Sequence, residues 1–366
     1  MISERVQVQP RSYEVHIENG LLARTGEVLR SVVDPGRRLF VLTVDPVRRK
    51  WGKTLMTSLT KAGYQAHFLV MPEGEQHKRL KTVEALAEQL SKLRADRNAV
   101  LVTFGGGVAG DVGGLLASLY MRGVEFVQIP TTVLAQVDAS IGGKTGVNLT
   151  AGKNLVGTFH QPQVVLVDPM VLSSLPVREY RAGLFESLKA GIIGDRELFE
   201  KFEDKRDAIL AREPGILERV IAASVKLKAE VVSQDEREQG LRRVLNLGHT
   251  IGHALEAETN YRELLHGEAV AWGIIMVAGI ARAIDRLDDT LAKRITAATL
   301  SLGKLPKLKV RTRSVFKRLG SDKKTRNGRI HFVLPVGIGK VEIVSDVPEQ
   351  VILSEIETAR QLSLKQ

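Results

Sequence analysis

At 366 residues and 40.2 kDa the chain has room for about two domains at roughly 150 residues each, which excludes a lone small binding module. Apolar residues make up 43% and charged residues 26%, an ordinary globular mixture, and no apolar run reaches the roughly 18 residues of a membrane span. The chain holds no cysteine, so disulfide scaffolds and thiolate chemistry are excluded, and its net charge of +11 is concentrated between Lys304 and Arg329, where eleven Lys or Arg face one acid, Asp322.

The N-terminus lacks the apolar core of a secretory signal, so a cytoplasmic protein is expected. Short β-rich apolar runs at Tyr13 to Ile17, Leu39 to Val44, His67 to Val70, Ala99 to Phe104, Phe126 to Ile129 and Val164 to Val167 predict strands. Helical spacing lies between them, as at Lys78 to Arg94, and this alternation predicts an α/β, Rossmann-like nucleotide-binding domain over residues 1–175.

The run at Ala99 to Phe104 is followed by Gly105-Gly106-Gly107-Val108-Ala109-Gly110-Asp111. Glycines at a strand-to-helix turn let the backbone approach a dinucleotide pyrophosphate, and they equally suit a tight, closely packed turn. The next strand ends in Pro130-Thr131-Thr132, whose hydroxyls suit a helix cap or a ligand. Val137 to Asn148 and Gly152 to Gly157, with their clustered Gly, Lys and Asn, are expected to form a polar loop that wraps an anion. Beyond Pro176 the pattern changes, and Glu179 to Ile284 reads almost throughout as helix, followed by a strand pair at Ile330 to Leu334 and Val341 to Val344. A mainly α-helical second domain is therefore expected over residues 176–366.

Three of the eight histidines fall within eighteen residues, His249, His253 and His266. His249 and His253 are four apart and share a helix face, so two imidazoles can meet one metal, or one metal and one substrate. Glu186 is a candidate carboxylate to complete the site, although with Lys189 three residues later it also reads as a surface ion pair. The basic 304–329 stretch carries a single ring, Phe316, and so lacks the stacking residues of a single-strand nucleic-acid binder.

Together the motifs PEGEQHK, GGGVAGDVGG, MRGVEFVQIPTT, VDASIGGKTGVN, GKNLVGTFHQP, NLGHTIGHALEAE and LLHGEAVAWG resemble the 3-dehydroquinate synthase family of sugar phosphate cyclases, over about Tyr13 to Leu334. The resemblance implies NAD and one divalent metal, zinc with cobalt as an alternative. It also implies conversion of 3-deoxy-D-arabino-heptulosonate 7-phosphate to 3-dehydroquinate and phosphate, by transient oxidation, phosphate elimination, re-reduction and aldol closure. Metal ligands implied by position are Glu186, His249 and His266, while His253 is turned instead to proton transfer or phosphate contact. Implied catalytic or substrate contacts are Asp138, Lys144, Asn154, Lys189, Lys228, Arg242 and Asn246, with Lys323 or Lys324 near the phosphate. Implied NAD contacts are Asp45, Glu75, Lys78, Gly106, Gly107, Val108, Asp111, Thr131, Thr132 and Lys153. Arg122 matches an arginine that reaches a neighbouring subunit's site, so the resemblance also implies a homodimer acting on a small anionic molecule, with no role for nucleic acid or membrane.

The chain departs from the family pattern where Phe185 replaces a small residue and Ala190 an aromatic one, beside Glu186 and Lys189. The rival readings are a sugar phosphate cyclase whose substrate lacks a carboxylate, a metal-dependent polyol dehydrogenase and a basic nucleic-acid-binding protein. Arg242 and Asn246 weigh against the first.

Overall fold

Strand β1 (Ile2–Val6) pairs antiparallel with β2 (Tyr13–Ile17), placing Ile2 opposite Ile17 and Val6 opposite Tyr13. Residues 1–9, 11–321 and 330–365 are described by the structure, a computed structural model, so Lys323 and Lys324 lie outside the described residues. After β2 the chain forms β3 (Arg38–Val44), β4 (Gln65–Met71), β5 (Val100–Gly105), β6 (Glu125–Pro130), a hairpin of β7 (Lys144–Leu149) and β8 (Gly152–Phe159), and β9 (Val164–Val167). Seven strands make one sheet in the order β1-β2-β9-β6-β5-β3-β4, parallel except for β1.

The central strands are apolar almost throughout, as a parallel sheet covered on both faces requires. Their period of two divides the core. Leu39, Val41, Val102 and Phe104 pack on one side with Leu55 and Leu59, while Phe40, Leu42, Leu101 and Phe126 pack on the other with Leu86, Leu90 and Leu115. The helix Gly107–Leu119 lies unusually close to the sheet, because a Cβ at Gly113 would stand 2.3 Å from the Thr103 side chain.

From Lys144 onward the stretch expected to be one polar loop is instead the antiparallel β7–β8 hairpin, with Val147 paired to Val156 and Gly146 to Gly157, while Val137 to Ala139 belong to a helical turn. Burial and close backbone approach explain the difference: Thr145 and Val147 are buried, and glycines at 146 and 157 let the two backbones meet where a Cβ at Gly157 would strike the Thr145 carbonyl.

By its contacts the chain forms two compact units, Met1–Pro176 with Leu217–Arg237, and Val177–Ile216 with Glu238–Gln366. The second is mainly helical, with a small β10 (Phe332–Gly337) and β11 (Lys340–Val344) hairpin. Its central helix, His266–Ala283, buries Val270, Trp272, Ile274, Met276 and Val277, so it is apolar nearly all round, as a core helix must be. Among the described residues no helix is long and apolar enough to cross a membrane.

That helix is positioned by contact with a backbone. A Cβ at Gly273 would stand 2.0 Å from the carbonyl oxygen of Gly248, the residue just before His249, and a carbonyl held in a helix start cannot turn away cheaply. Gly273→Ala is therefore expected to destabilise the fold by about 1–3 kcal/mol, read as a lower urea midpoint with an unchanged slope. An unaltered midpoint would mean that the two helices separate at no cost.

Candidate active site

In the first unit the predicted cofactor residues gather at the carboxyl ends of adjacent parallel strands. Asp45 follows β3, Glu75 and Lys78 follow β4, Gly106 to Asp111 follow β5, and Thr131 and Thr132 follow β6. The strand order reverses between β3 and β5, since β4 lies on one side of β3 and β5 on the other, and such a reversal opens a crevice beyond the strand ends. There Gly106 caps the helix Gly107–Leu119, whose first N–H groups carry the positive end of the helix dipole.

Polar side chains brace this crevice. Lys78, almost fully buried, pairs with Asp111 and donates to Asn154 Oδ1 at 2.6 Å. Asn154 N donates to Asn148 Oδ1 at 2.9 Å, and Asn148 Nδ2 donates to Glu75 Oε1 at 2.7 Å. Burial pushes the Asp111 carboxyl above its ordinary range, and the neighbouring Lys78 ammonium opposes that shift. Thr132 Oγ1 accepts from Ala135 N at 3.2 Å, so the capping reading holds for that hydroxyl. Asp45 pairs with Arg48 at 2.9 Å, one turn along its helix.

The next element is a single π-helical turn, Ala135–Ala139, which presents Asp138. Lys228 donates to Asp138 Oδ1 at 2.6 Å and also to the Asp138 carbonyl, so side chain and backbone are held by one ammonium. Lys144 is exposed at the start of β7, and Lys153 is half-buried in β8. Arg122 stands apart. It is exposed, has φ of 69°, and follows the far end of the helix Gly107–Leu119, about 20 Å from the glycine loop at 1.5 Å per residue.

In the second unit Glu186 lies on the helix Val177–Gly194, His249 on the helix His249–Glu258, and His266 at the start of the helix His266–Ala283. Nε2 of His249 is 3.7 Å and Nε2 of His266 3.5 Å from the same oxygen, Glu186 Oε1. Glu186 is 2% exposed, and neither of its carboxylate oxygens accepts a hydrogen bond from the described residues. Lys189 makes a close ion pair with Oε2 but does not offer a hydrogen-bonding direction, and it too is buried, so the surface-pair reading fails.

A zinc-type ion with bonds of about 2.0–2.1 Å and tetrahedral angles holds its ligands roughly 3.3–3.4 Å apart. The three donors fit such an ion, and Glu186 Oε1, buried without a hydrogen bond, is the oxygen it would satisfy, while Oε2 keeps its ion pair with Lys189. His253 stands beside them, its ring centroid 5.4 Å from His249 and 5.9 Å from His266, so the helical i,i+4 pair supplies one member of the trio and one neighbour. Arg242 is buried in the 3-10 turn Leu241–Asn246, and Asn246 donates to Glu238 Oε1 at 2.7 Å.

Sequence reasoning passed over Asn148 and Glu256. Asn148 stands inside a quoted motif but has no charge to advertise it, and Glu256 reads as an ordinary helical glutamate.

Comparison with known proteins agrees with this geometry. Residues 68–182 match the 3-dehydroquinate synthase N-terminal family and residues 183–325 the 3-dehydroquinate synthase C-terminal family. A 3-dehydroquinate synthase of Koribacter versatilis is 49% identical over 358 residues, covering 98% of both chains. Among solved structures, 2-epi-5-epi-valiolone synthase from Streptomyces hygroscopicus subsp. jinggangensis, with NAD+ and Zn2+ bound, superposes with a TM-score of 0.88 at 32% identity, covering 97% of this chain and 98% of that one. A 2-deoxy-scyllo-inosose synthase complexed with carbaglucose-6-phosphate, NAD+ and Co2+ gives 0.86 at 27% identity, covering 98% and 99%. Two consecutive family matches and a relative sharing half its residues end to end leave no part of the argument to fold likeness alone, and the chain belongs to the 3-dehydroquinate synthase family.

Proposed function

We propose that the chain converts 3-deoxy-D-arabino-heptulosonate 7-phosphate to 3-dehydroquinate and phosphate, with NAD at the carboxyl ends of β3 to β6 and a divalent metal on Glu186, His249 and His266. The observation that carries the metal reading is the buried Glu186 carboxylate, without a hydrogen bond and facing two Nε2 atoms. When bound, NAD+ takes up and returns a hydride at C5, and zinc or cobalt acts as a Lewis acid toward the substrate hydroxyls.

The chain's own residues bind and orient. The Gly107 helix start and its glycine loop receive the pyrophosphate, with Asp45, Glu75, Lys78, Val108, Asp111, Thr131, Thr132 and Lys153 as the remaining cofactor contacts. Lys228 holds Asp138 in one orientation, so that its carboxylate can order a substrate hydroxyl. Arg242 meets the substrate carboxylate and Asn246 a neighbouring hydroxyl. His253 takes or gives a proton at an imidazole nitrogen as phosphate departs, while Lys144, Asn154, Lys189 and one of Lys323 or Lys324 offset the phosphate charge. The same reading takes residues 1–175, joined by the returning segment Leu217–Arg237, as the NAD-binding domain and the remainder of 176–366 as the metal- and substrate-binding domain. It describes a cytoplasmic homodimer in which Arg122, remote from its own glycine loop, serves the partner's site.

Phosphate release from the heptulosonate phosphate is expected to require both NAD+ and metal. NAD+ should suffice in catalytic amount, because the hydride that leaves C5 returns to it. Absorbance at the NADH band should therefore stay flat through many turnovers. A rise in NADH equal to product would support the polyol dehydrogenase reading instead.

A further inference from the structure

The second unit orders its imidazoles by a device that the proposed metal set does not itself explain, and the inference drawn from it rests on that metal reading. Nδ1 of His249 lies 3.2 Å from the Leu247 carbonyl oxygen, which can only accept, so the ring proton sits on Nδ1 and Nε2 turns its lone pair toward Glu186. His266 repeats the arrangement with a different acceptor. Its Nε2 faces Glu186 Oε1 at 3.5 Å, and its Nδ1 lies 3.3 Å from Glu256 Oε2.

Glu256 follows His249 by seven residues and His253 by three, so the helix His249–Glu258 presents all three on one face. Its carboxylate is 2% exposed, and a buried charge needs a strong partner. We infer that Glu256 is a positioning residue: it accepts the Nδ1 proton of His266, fixing that ring's tautomer and rotation so that Nε2 is presented to the metal. A carboxylate on the outer nitrogen of a ligand imidazole also raises the basicity of the inner one.

His253, Glu256 and His266 form a second trio of possible ligand atoms within 4.8 Å of one another. A metal there would take His266 through Nδ1 and make Glu256 a direct ligand, yet it would leave Glu186 Oε1 buried without a hydrogen bond, since Lys189 pairs with Oε2 alone. The Glu186 trio satisfies both carboxylates at once.

The test is a cobalt(II) titration of the full-length chain, followed by visible absorption and by competition with a chelator. Glu256→Met fills the same space without a strong acceptor, and it is expected to weaken cobalt binding 10- to 100-fold and to change the cobalt spectrum. Glu256→Gln keeps an oxygen able to accept the Nδ1 proton, and it is expected to restore affinity to within a few-fold of the parent, roughly the difference between a charged and a neutral acceptor. Equal weakening by both variants, or none by Glu256→Met, would overturn the positioning role. His249→Ala and His253→Ala separate the two trios. Loss of cobalt with the first and not the second supports the metal reading, so that failure of the Glu256 arms then counts against the inference alone. The reverse pattern puts the metal on Glu256 and overturns both.

Discussion

A His249→Ala chain is expected to lose tight binding of zinc or cobalt and to release phosphate about 10³-fold more slowly than the parent. His249 supplies one of three donors that converge on a buried carboxylate, and two remaining protein ligands do not retain an ion against water. Lewis-acid stabilisation is worth several kcal/mol, and at about 1.4 kcal/mol per decade some 4 kcal/mol amounts to ~10³-fold. Chelation of the parent should give the same loss, reversed by added zinc or cobalt. If the variant binds zinc as tightly as the parent, the ligand set is wrong. Glu186→Gln is a poorer probe, because it strands Lys189 without its buried carboxylate, and breaking a buried pair from one side costs about 3–5 kcal/mol of stability.

Arg242 is expected to decide which sugar phosphate is used. Its guanidinium is buried in the turn Leu241–Asn246, where a carboxylate can meet it through two parallel N–H···O bonds. Charge-assisted hydrogen bonding of about 1.5–3 kcal/mol corresponds to roughly 10- to 150-fold in discrimination. The parent should therefore release phosphate much faster from the heptulosonate phosphate than from sedoheptulose 7-phosphate, which lacks the carboxylate. Arg242→Ala should erase that ratio, and Arg242→Lys should keep the charge but lose part of it, since an ammonium lacks the planar fork. Equal use of both substrates by the parent would move the chain toward the 2-epi-5-epi-valiolone synthase reading, which the 32% identity to that enzyme keeps as the nearest rival. A ratio unchanged in Arg242→Ala would leave the arginine with a role in holding its turn.

The parallel sheet was legible because strands covered on both faces are written as nearly continuous apolar runs, and those at β3, β5, β6 and β9 stand out between helical spacings, while β2 shows by its alternation of buried and half-buried residues. The β7–β8 hairpin was not, since Gly, Lys and Asn at its alternate positions imitate loop composition and its glycines are there for backbone approach. At the metal trio, histidine spacing announced that a site exists. Spacing alone paired His249 with His253, whereas His266 reaches Glu186 through the packing of one helix start against another helix, a contact that no local pattern records. The resemblance supplied that ligand set, and the geometry adds that two imidazole Nε2 atoms face one oxygen of the buried Glu186 carboxylate while Lys189 pairs with the other.

The return of Leu217–Arg237 to the first unit bears on how the chain is made. Lys228, the residue that holds Asp138, is translated about 90 residues after it. A nascent chain that has extended only to Pro176 lacks a whole helix of its first unit, and about 60 further residues must emerge before that unit can close. At ~5–20 residues per second this is a wait of roughly 3–12 s, during which part of a largely apolar sheet protein has not met its last partner. Vectorial synthesis therefore cannot finish the first unit before starting the second, and codon choice or chaperone supply across residues 177–237 bears directly on the yield of folded enzyme.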